Sequence, residues 1–260
     1  MPVSSLRAGL SQSLVTLGTV ISIKPQGENN SSVCFLTQKE GIVYATLYGG
    51  RKSKLRSLVS PWNTGTVYFS VTNQSNLLKI SDFDVKQYHL TFRESLVKSC
   101  AASLAAELAI KTKCAGSNEH CWALINGFLD GLEHCTNDEQ SSLGLIRFLW
   151  RYLDLLGVQP QSNYCCKCET SSVYLEKGVF YSLIENGFLC SDCAGQKQVF
   201  FLNQEAINYL NCLSSLSPGE VRKIPLSKEA YGQLKDCIFY MIENACSCRL
   251  TSLQTGIGIL

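Results

Sequence analysis

Two Cys-x-x-Cys pairs constrain this chain more than any other feature. Cys165-Cys166-Lys167-Cys168 is followed, after 21 intervening residues, by Cys190-Ser191-Asp192-Cys193. A two-residue gap lets the backbone turn while both sulfurs face one centre. Two such pairs therefore bring four thiolates, Cys165, Cys168, Cys190 and Cys193, within reach of a single tetrahedral Zn²⁺. Cys166 is surplus to that set. Between the pairs, residues 173–175 and 179–183 read as β-runs parted by Gly178, and Asn186-Gly187 is a hairpin signal before the second pair. The spacing predicts a zinc ribbon over residues 161–200, with the zinc structural. A Cys₄ shell is closed, leaving no position for a reactive water.

The chain has 14 cysteines among 260 residues, which raises the question of a disulfide scaffold. The ten outside the ribbon pairs are scattered, however. Cys100, Cys114, Cys121, Cys135, Cys212 and Cys237 occupy helix-face positions as small apolar residues do, the habit of reduced intracellular thiols. The partly apolar run at residues 14–23 is broken by Thr16, Gly18, Thr19 and Ser22, and its alternation reads as a strand, not a signal core. No apolar run approaches the ~20 residues needed to span a bilayer. The expected location is the cytoplasm.

Residues 1–84 carry five strand-like runs, at 15–24, 33–37, 42–48, 65–71 and 77–80, separated by turns rich in glycine. Five short strands suit a small closed barrel of the OB-fold kind, and a generic β-domain fits the count almost as well. Between the third and fourth runs lies Gly49-Gly50-Arg51-Lys52-Ser53-Lys54-Leu55-Arg56. Arg51, Lys52, Lys54 and Arg56, entered through two glycines, read as a mobile basic loop able to replace the counterions of a phosphate backbone. A solvated charge run has the same composition, and the net charge of +2 excludes a global cationic field. Tyr44, Tyr48, Trp62, Tyr68 and Phe69 share this region as candidate stacking residues, most of them expected in the core or on a pleat face.

From about Tyr88 the apolar period lengthens to that of a helix. Phe92, Leu96, Cys100, Leu104 and Leu108 form one stripe, with Val97, Ala101 and Ala105 beside it; Trp122, Ile125, Leu129 and Leu132 form a second. A third helix opens at Asn137 with a capping-box pattern to Gln140 and ends at Gly157. Further helices are predicted at residues 204–216 and 228–250, the latter capped by Ser227. This gives an α+β, multi-domain chain: a barrel at 1–84, a helical domain at 85–160, the inserted ribbon at 161–200, and the rest of the helical domain at 201–260. No phosphate-binding glycine loop is present, and none of His89, His120 and His134 is followed by Glu two residues on, as a zinc deaminase requires.

This order of parts resembles the bacterial RecO recombination-mediator family. Gly27-Glu28 follows the first strand, and Phe35-Leu36-Thr37 with Gly41 resembles the second strand and turn. The basic segment at 49–56 with Pro61, and the helix at 147–157 ending in Leu155-Leu156-Gly157, are similar to the family's loop and pre-zinc helix. Cys165, Cys168, Cys190 and Cys193 fall where zinc-bearing members keep their ligands, and residues 248–253 resemble the C-terminal signature. Two departures stand out. The usual Phe-Glu is Phe148-Leu149, and the second pair lacks the frequent proline between its cysteines. The N-terminal half is divergent.

The resemblance implies a non-catalytic, nucleoid-associated protein that binds single- and double-stranded DNA through its barrel and anneals complementary strands. It also implies a partnership with RecR, engagement of single-stranded DNA-binding protein (SSB), and help in loading RecA. Within that reading, Arg147 is the candidate receiver of the acidic SSB C-terminal tail, a solvated helix arginine being the plainer alternative. Two other readings stay open: a zinc-ribbon interaction scaffold that does not bind DNA, and an enzyme with a structural zinc and an active site not evident in sequence.

Overall fold

The alternating runs of the N-terminal half pair into a closed five-stranded barrel. The computed structural model describes residues 13–49, 53–71, 77–171, 178–195 and 200–260. By contact the chain divides into two units, Met1–His134 and Cys135–Leu260.

In the first unit the strands are β1 (Ser13–Gln26), β2 (Asn30–Thr37) and β3 (Gly41–Leu47), then, after a short helix α1 (Lys54–Leu58), β4 (Thr64–Val71) and β5 (Leu78–Gln87). Their order around the barrel is β1-β2-β3-β5-β4, closed by β4 against β1, an OB-like arrangement. Every pairing is antiparallel except β3 with β5, where Thr46 lies opposite Lys79. β1 is long enough to serve two neighbours: residues 18–26 pair with β2 and 13–19 with β4. A bulge between Val20 and Ser22 re-aims the strand. Gly65 is required where β4 meets β5, because a Cβ there would lie 2.0 Å from the Asp84 carbonyl oxygen. Inside the barrel Phe35 receives Phe69 and Phe83 edge-on, with centroids 5.4 and 5.7 Å away, the geometry favoured by ring quadrupoles.

A 3₁₀ turn (Leu90–Arg93) leads into α2 (Leu96–Thr112), a second 3₁₀ turn (Lys113–Gly116) and α3 (Asn118–Glu133). α2 differs from the expected stripe. Val97, Ala101, Ala102, Leu104, Ala105, Leu108 and Ala109 are buried, whereas Leu96 is 63% exposed. The run of alanines lets neighbours approach on several sides, so no single fourth-residue stripe defines the buried surface. α3 is joined to the barrel by a buried polar contact. Asn126 Oδ1 accepts from Thr19 (2.6 Å) and Thr64 (3.2 Å), while its Nδ2 donates to the Trp122 carbonyl (2.9 Å). A buried amide bonded at both its oxygen and its nitrogen fixes register where apolar contacts alone permit sliding.

In the second unit α4 (Asp138–Leu155) begins as its sequence indicates, with Asn137 Oδ1 accepting from the Gln140 N–H at 2.8 Å. The reciprocal half of the box is displaced by one residue, because Gln140 Oε1 takes the Thr136 N–H instead of the cap's own. Gly157, at φ +71°, ends the helix. The ribbon follows as β6 (Val179–Ser182), β7 (Gly187–Cys190), the turn α5 (Ser191–Ala194) and β8 (Phe200–Leu202), a sheet of order β7-β6-β8. The run at 173–175 lies outside the described residues. Beyond the ribbon come α6 (Gln204–Ser215), α7 (Pro218–Val221), α8 (Lys228–Cys246) and α9 (Thr251–Thr255). α8 is capped by Ser227 as expected, and it packs on α4 and β8. It stops at Cys246, where Ser247 turns left-handed, four residues short of the predicted end.

All fourteen cysteines are free thiols. Burial pushes the thiol of Cys34 up to about 11 and raises that of Cys237, so both stay protonated as small apolar groups. Among the described residues no helix is long and apolar enough to cross a membrane.

Candidate functional site

The ribbon brings its four predicted ligands together. The Sγ atoms of Cys165, Cys168, Cys190 and Cys193 all lie within 4.8 Å of one another, and those of Cys168 and Cys190 are 3.7 Å apart. A tetrahedral zinc with bonds of about 2.3 Å sets an S···S edge of about 3.8 Å, so the cluster has the size of a Zn–S₄ shell. Local backbone bonding creates this shape. The Cys165 N–H donates to the Thr170 carbonyl, Glu169 returns a bond to the Cys165 carbonyl, and the Cys190 N–H points at Cys165 Sγ at 3.4 Å. Burial raises the Cys165 thiol, but N–H donors from Cys168, Cys190 and Lys167 outweigh it and draw it below the usual thiol range. The Thr170 hydroxyl, then its backbone N–H, bring Cys168 down to about 6. Cys165 and Cys168 thus give up protons readily, as metal ligands must, whereas hydrogen bonding to Cys190 and then to Cys168 raises Cys193 to about 12.

Cys166 stands apart from the four. Its N–H donates to the Phe188 carbonyl (2.8 Å), and its Sγ lies where a Cβ on Gly187 would come within 2.7 Å. The hairpin glycine is thus needed for close approach to the first knuckle. The left-handed residue of the turn is its neighbour Asn186, at φ +43°.

Of the predicted basic loop, Arg51 and Lys52 lie outside the described residues. Lys54 and Arg56 sit on the helical turn α1 and not in a loop, because Ser53 begins a helix there. Lys54 is exposed. Arg56 is tethered, donating to the carbonyls of Gly49 (3.1 Å) and Asn29 (3.3 Å) and to the Ser31 hydroxyl (3.4 Å). It ties the β1–β2 turn to the segment after β3.

The aromatic residues separate clearly. Phe69 is core, and Tyr44, Tyr48 and Tyr68 are 57%, 41% and 39% exposed. Alternation along β3 turns Tyr44 and Thr46 away from the barrel core, Thr46 being covered there, and Tyr48 follows just past the end of the strand. Cross-strand pairing extends the Thr46 row through Ser32 to Lys24 on one side and to Lys79 on the other. Lys79 Nζ stands 5.7 Å from the Tyr48 ring centroid, within cation–π range. The outer wall of the barrel therefore sets Tyr48 against Lys79, with Lys24 at the far end of the Thr46 row, while Tyr68 on β4 lies opposite Asp82 of β5.

Arg147, singled out on α4, has two arginine neighbours that sequence reasoning missed. Its Nη1 donates to the Tyr209 hydroxyl at 3.2 Å. Burial, followed by the like charges of Arg147 and Arg222, lowers the neighbouring Arg151 guanidinium. None of the three meets a carboxylate among the described residues. Arg151 was legible as the i+4 neighbour of Arg147 on one helix face; Arg222 follows the end of α7 and had no local signal. One turn before Arg147 on the same face, Leu143 lines a cavity of about 400 Å³ with Leu226, Tyr231, Ser142, Glu139 and Lys228.

Residues 93–254 match the protein family described as Recombination protein O C terminal. The chain is also similar to proteins named DNA repair protein RecO. It is 26% identical to that of Bacillus pumilus over 180 residues, 68% of this chain and 66% of the relative. With that of Acetivibrio thermocellus the identity is 24% over 200 residues (76% and 78%), and with that of Bacillus cereus 28% over 195 residues (74% and 75%). The first of these relatives is thus matched over just under two thirds of its length.

Proposed function

This chain belongs to the recombination protein O family, and from that premise we propose that it is a non-catalytic DNA-binding mediator of recombinational repair. In this reading it anneals complementary strands and, with RecR, helps RecA onto single strands covered by SSB. The observation that carries the reading is the outer wall of the barrel, where Tyr44 and Tyr48 stand beside Lys24 and Lys79 and Tyr68 lies on β4. Phenol faces stack unpaired bases without regard to sequence, and ammonium groups neutralise the backbone beside them. Arg51, Lys52 and Lys54 of the basic segment are further candidates to neutralise phosphates, and Arg56 mainly tethers that segment.

The ribbon's part is structural. Cys165, Cys168, Cys190 and Cys193 have the donor chemistry and spacing to hold one Zn²⁺, which when bound cross-links the two knuckles. The SSB C-terminal tail is assigned to the second unit. Arg147, Arg151 and Arg222 suit its carboxylates, and the apolar cavity at Leu143 and Leu226 suits a hydrophobic tail residue. A role at the nucleoid, and hence in the cytoplasm, follows from the same assignment.

The test is annealing of complementary strands coated with SSB, with zinc measured on the same sample. Accelerated annealing by wild-type protein, lost in the Tyr44→Ala/Tyr48→Ala/Tyr68→Ala variant, is the expected result. Wild-type annealing by that variant removes the wall from the mechanism, and absence of DNA binding at low salt removes the function. For the tail, an Arg147→Ala titration with an SSB tail peptide decides; unchanged affinity dismisses the site.

A further inference from the structure

Trp62 is held in a conformation that its side chain disfavours. Its φ is +70°, in the left-handed region where a bulky L-residue is strained by about 1–3 kcal/mol. Three bonds maintain it. The Trp62 N–H donates to the Val20 carbonyl at 2.8 Å, and its own carbonyl accepts from His89 Nδ1 at 2.6 Å. His89 is 5% exposed, and its Nε2 is paired with Asp130 Oδ1 at 2.9 Å. A buried histidine, held in turn by a part-exposed aspartate, thus fixes the backbone of a turn residue whose indole is itself half-buried. Strain maintained by surrounding hydrogen bonds is characteristic of groups placed for a ligand.

The indole borders a cleft of about 270 Å³ between the β1 bulge and α2. Ile21 and Ile110 supply apolar surface, and Ser22, Ser103 and Glu107 are its polar lining. This volume lies below that of sites for drug-sized ligands and suits one heterocycle. A carboxylate in the lining disfavours a phosphate, whereas indole and aliphatic surfaces favour a neutral ring. The cleft also meets the outer wall. Ser22 is two residues from Lys24 on the same strand face, and Lys24 heads the row that crosses Ser32 and Thr46 to Lys79. From β3 to β1 is two strand spacings, about 10 Å.

We propose that this cleft takes one unstacked nucleobase of a single DNA strand running off the tyrosine wall, with Trp62 as its stacking face and His89 and Asp130 as positioning residues. The proposal rests on the DNA-binding reading of the barrel, and the following experiment separates the two. Full-length, zinc-loaded protein is titrated with a single-stranded deoxycytidine dodecamer, an abasic backbone of equal length and a duplex. Tryptophan emission and affinity are followed for wild type, Trp62→Phe, Trp62→Ala and Ser103→Phe. Ser103 is exposed, and a phenyl group there fills the cleft without touching the clamp.

The expected result is quenching of wild-type emission by the base-bearing strand but not by the abasic one, with Trp62→Phe losing that quench. Trp62→Ala and Ser103→Phe should each weaken single-strand binding about 5- to 100-fold, the range of one base–aromatic stack, and leave duplex affinity unchanged. A strand that binds without altering Trp62 emission, or with wild-type affinity for both cleft variants, overturns the cleft and spares the DNA-binding reading. Equal weakening for strand and duplex overturns it as well, because a base cleft discriminates between them. No binding of any DNA at low salt overturns both.

Discussion

The barrel and the ribbon both hold short strands together, but by different physical means. The barrel has strands of 14, 8, 7, 8 and 10 residues closed around eleven buried residues, among them Phe35, Phe69 and Phe83. The ribbon has described strands of 4, 4 and 3 residues, and the buried cluster at its cysteines is only Cys165, Leu189 and Cys190. Apolar burial stabilises roughly in proportion to area, so the first can stand on its packing, whereas the second needs a cross-link. The difference accords with the proposed placement of recognition on the barrel. A closed ladder with a full core can present exposed tyrosines outward at little cost, while the ribbon's chemistry is directed inward to its own four sulfurs.

Removing the metal tests this contrast most severely. Chelation, or Cys168→Ser, is expected to abolish amide-exchange protection in β6, β7 and β8 while β1 to β5 keep theirs, because structural zinc contributes about 10 kcal/mol or more to small domains. Equal loss in both regions breaks the comparison. The converse is Phe35→Ala, expected to cost about 3–5 kcal/mol in the denaturant unfolding of the barrel, with zinc content unchanged. A smaller cost means that the ladder, and not the ring cluster, carries the barrel. Next comes the wall. Each tyrosine of Tyr44, Tyr48 and Tyr68 that stacks a base is expected to contribute about 1–3 kcal/mol to single-strand affinity, and its replacement by Ala should shift stability by only about 0.5 kcal/mol. Loss of stability without loss of affinity reassigns these rings to folding. The smallest effect separates two cations of one turn. Lys54→Ala should reduce the logarithmic salt slope of single-strand binding by about 0.7 and leave stability alone. Arg56→Ala, which removes three tethering bonds, should also shift the unfolding midpoint.

Much of this architecture was readable locally. The positions of β1 to β4 follow alternation, and the caps at Asn137 and Ser227 follow side-chain chemistry acting over three residues. Other features were not. β5 continues to Gln87 through Asp82, Asp84 and Lys86, polar residues that resemble a loop until β4 is found beside them. β8 is three residues long and exists because β6 offers it an edge. The left-handed turn at Lys113, Cys114 and Ala115 has no glycine before Gly116 to announce it.

The clustering of Cys165, Cys168, Cys190 and Cys193 was legible in the sequence alone, because two-residue spacing acts within one turn of backbone. So were the inward-facing Phe35 and Phe69, which alternation places whatever the neighbouring strand. Which tyrosines face solvent, which cation is tethered and which arginines gather at Arg147 were decided only by tertiary structure. So was the left-handed posture of Trp62. Each depends on groups tens of residues away, such as His89 for Trp62, Asn29 for Arg56 and Tyr209 for Arg147. No short-range propensity encodes contacts made after distant segments have been brought together.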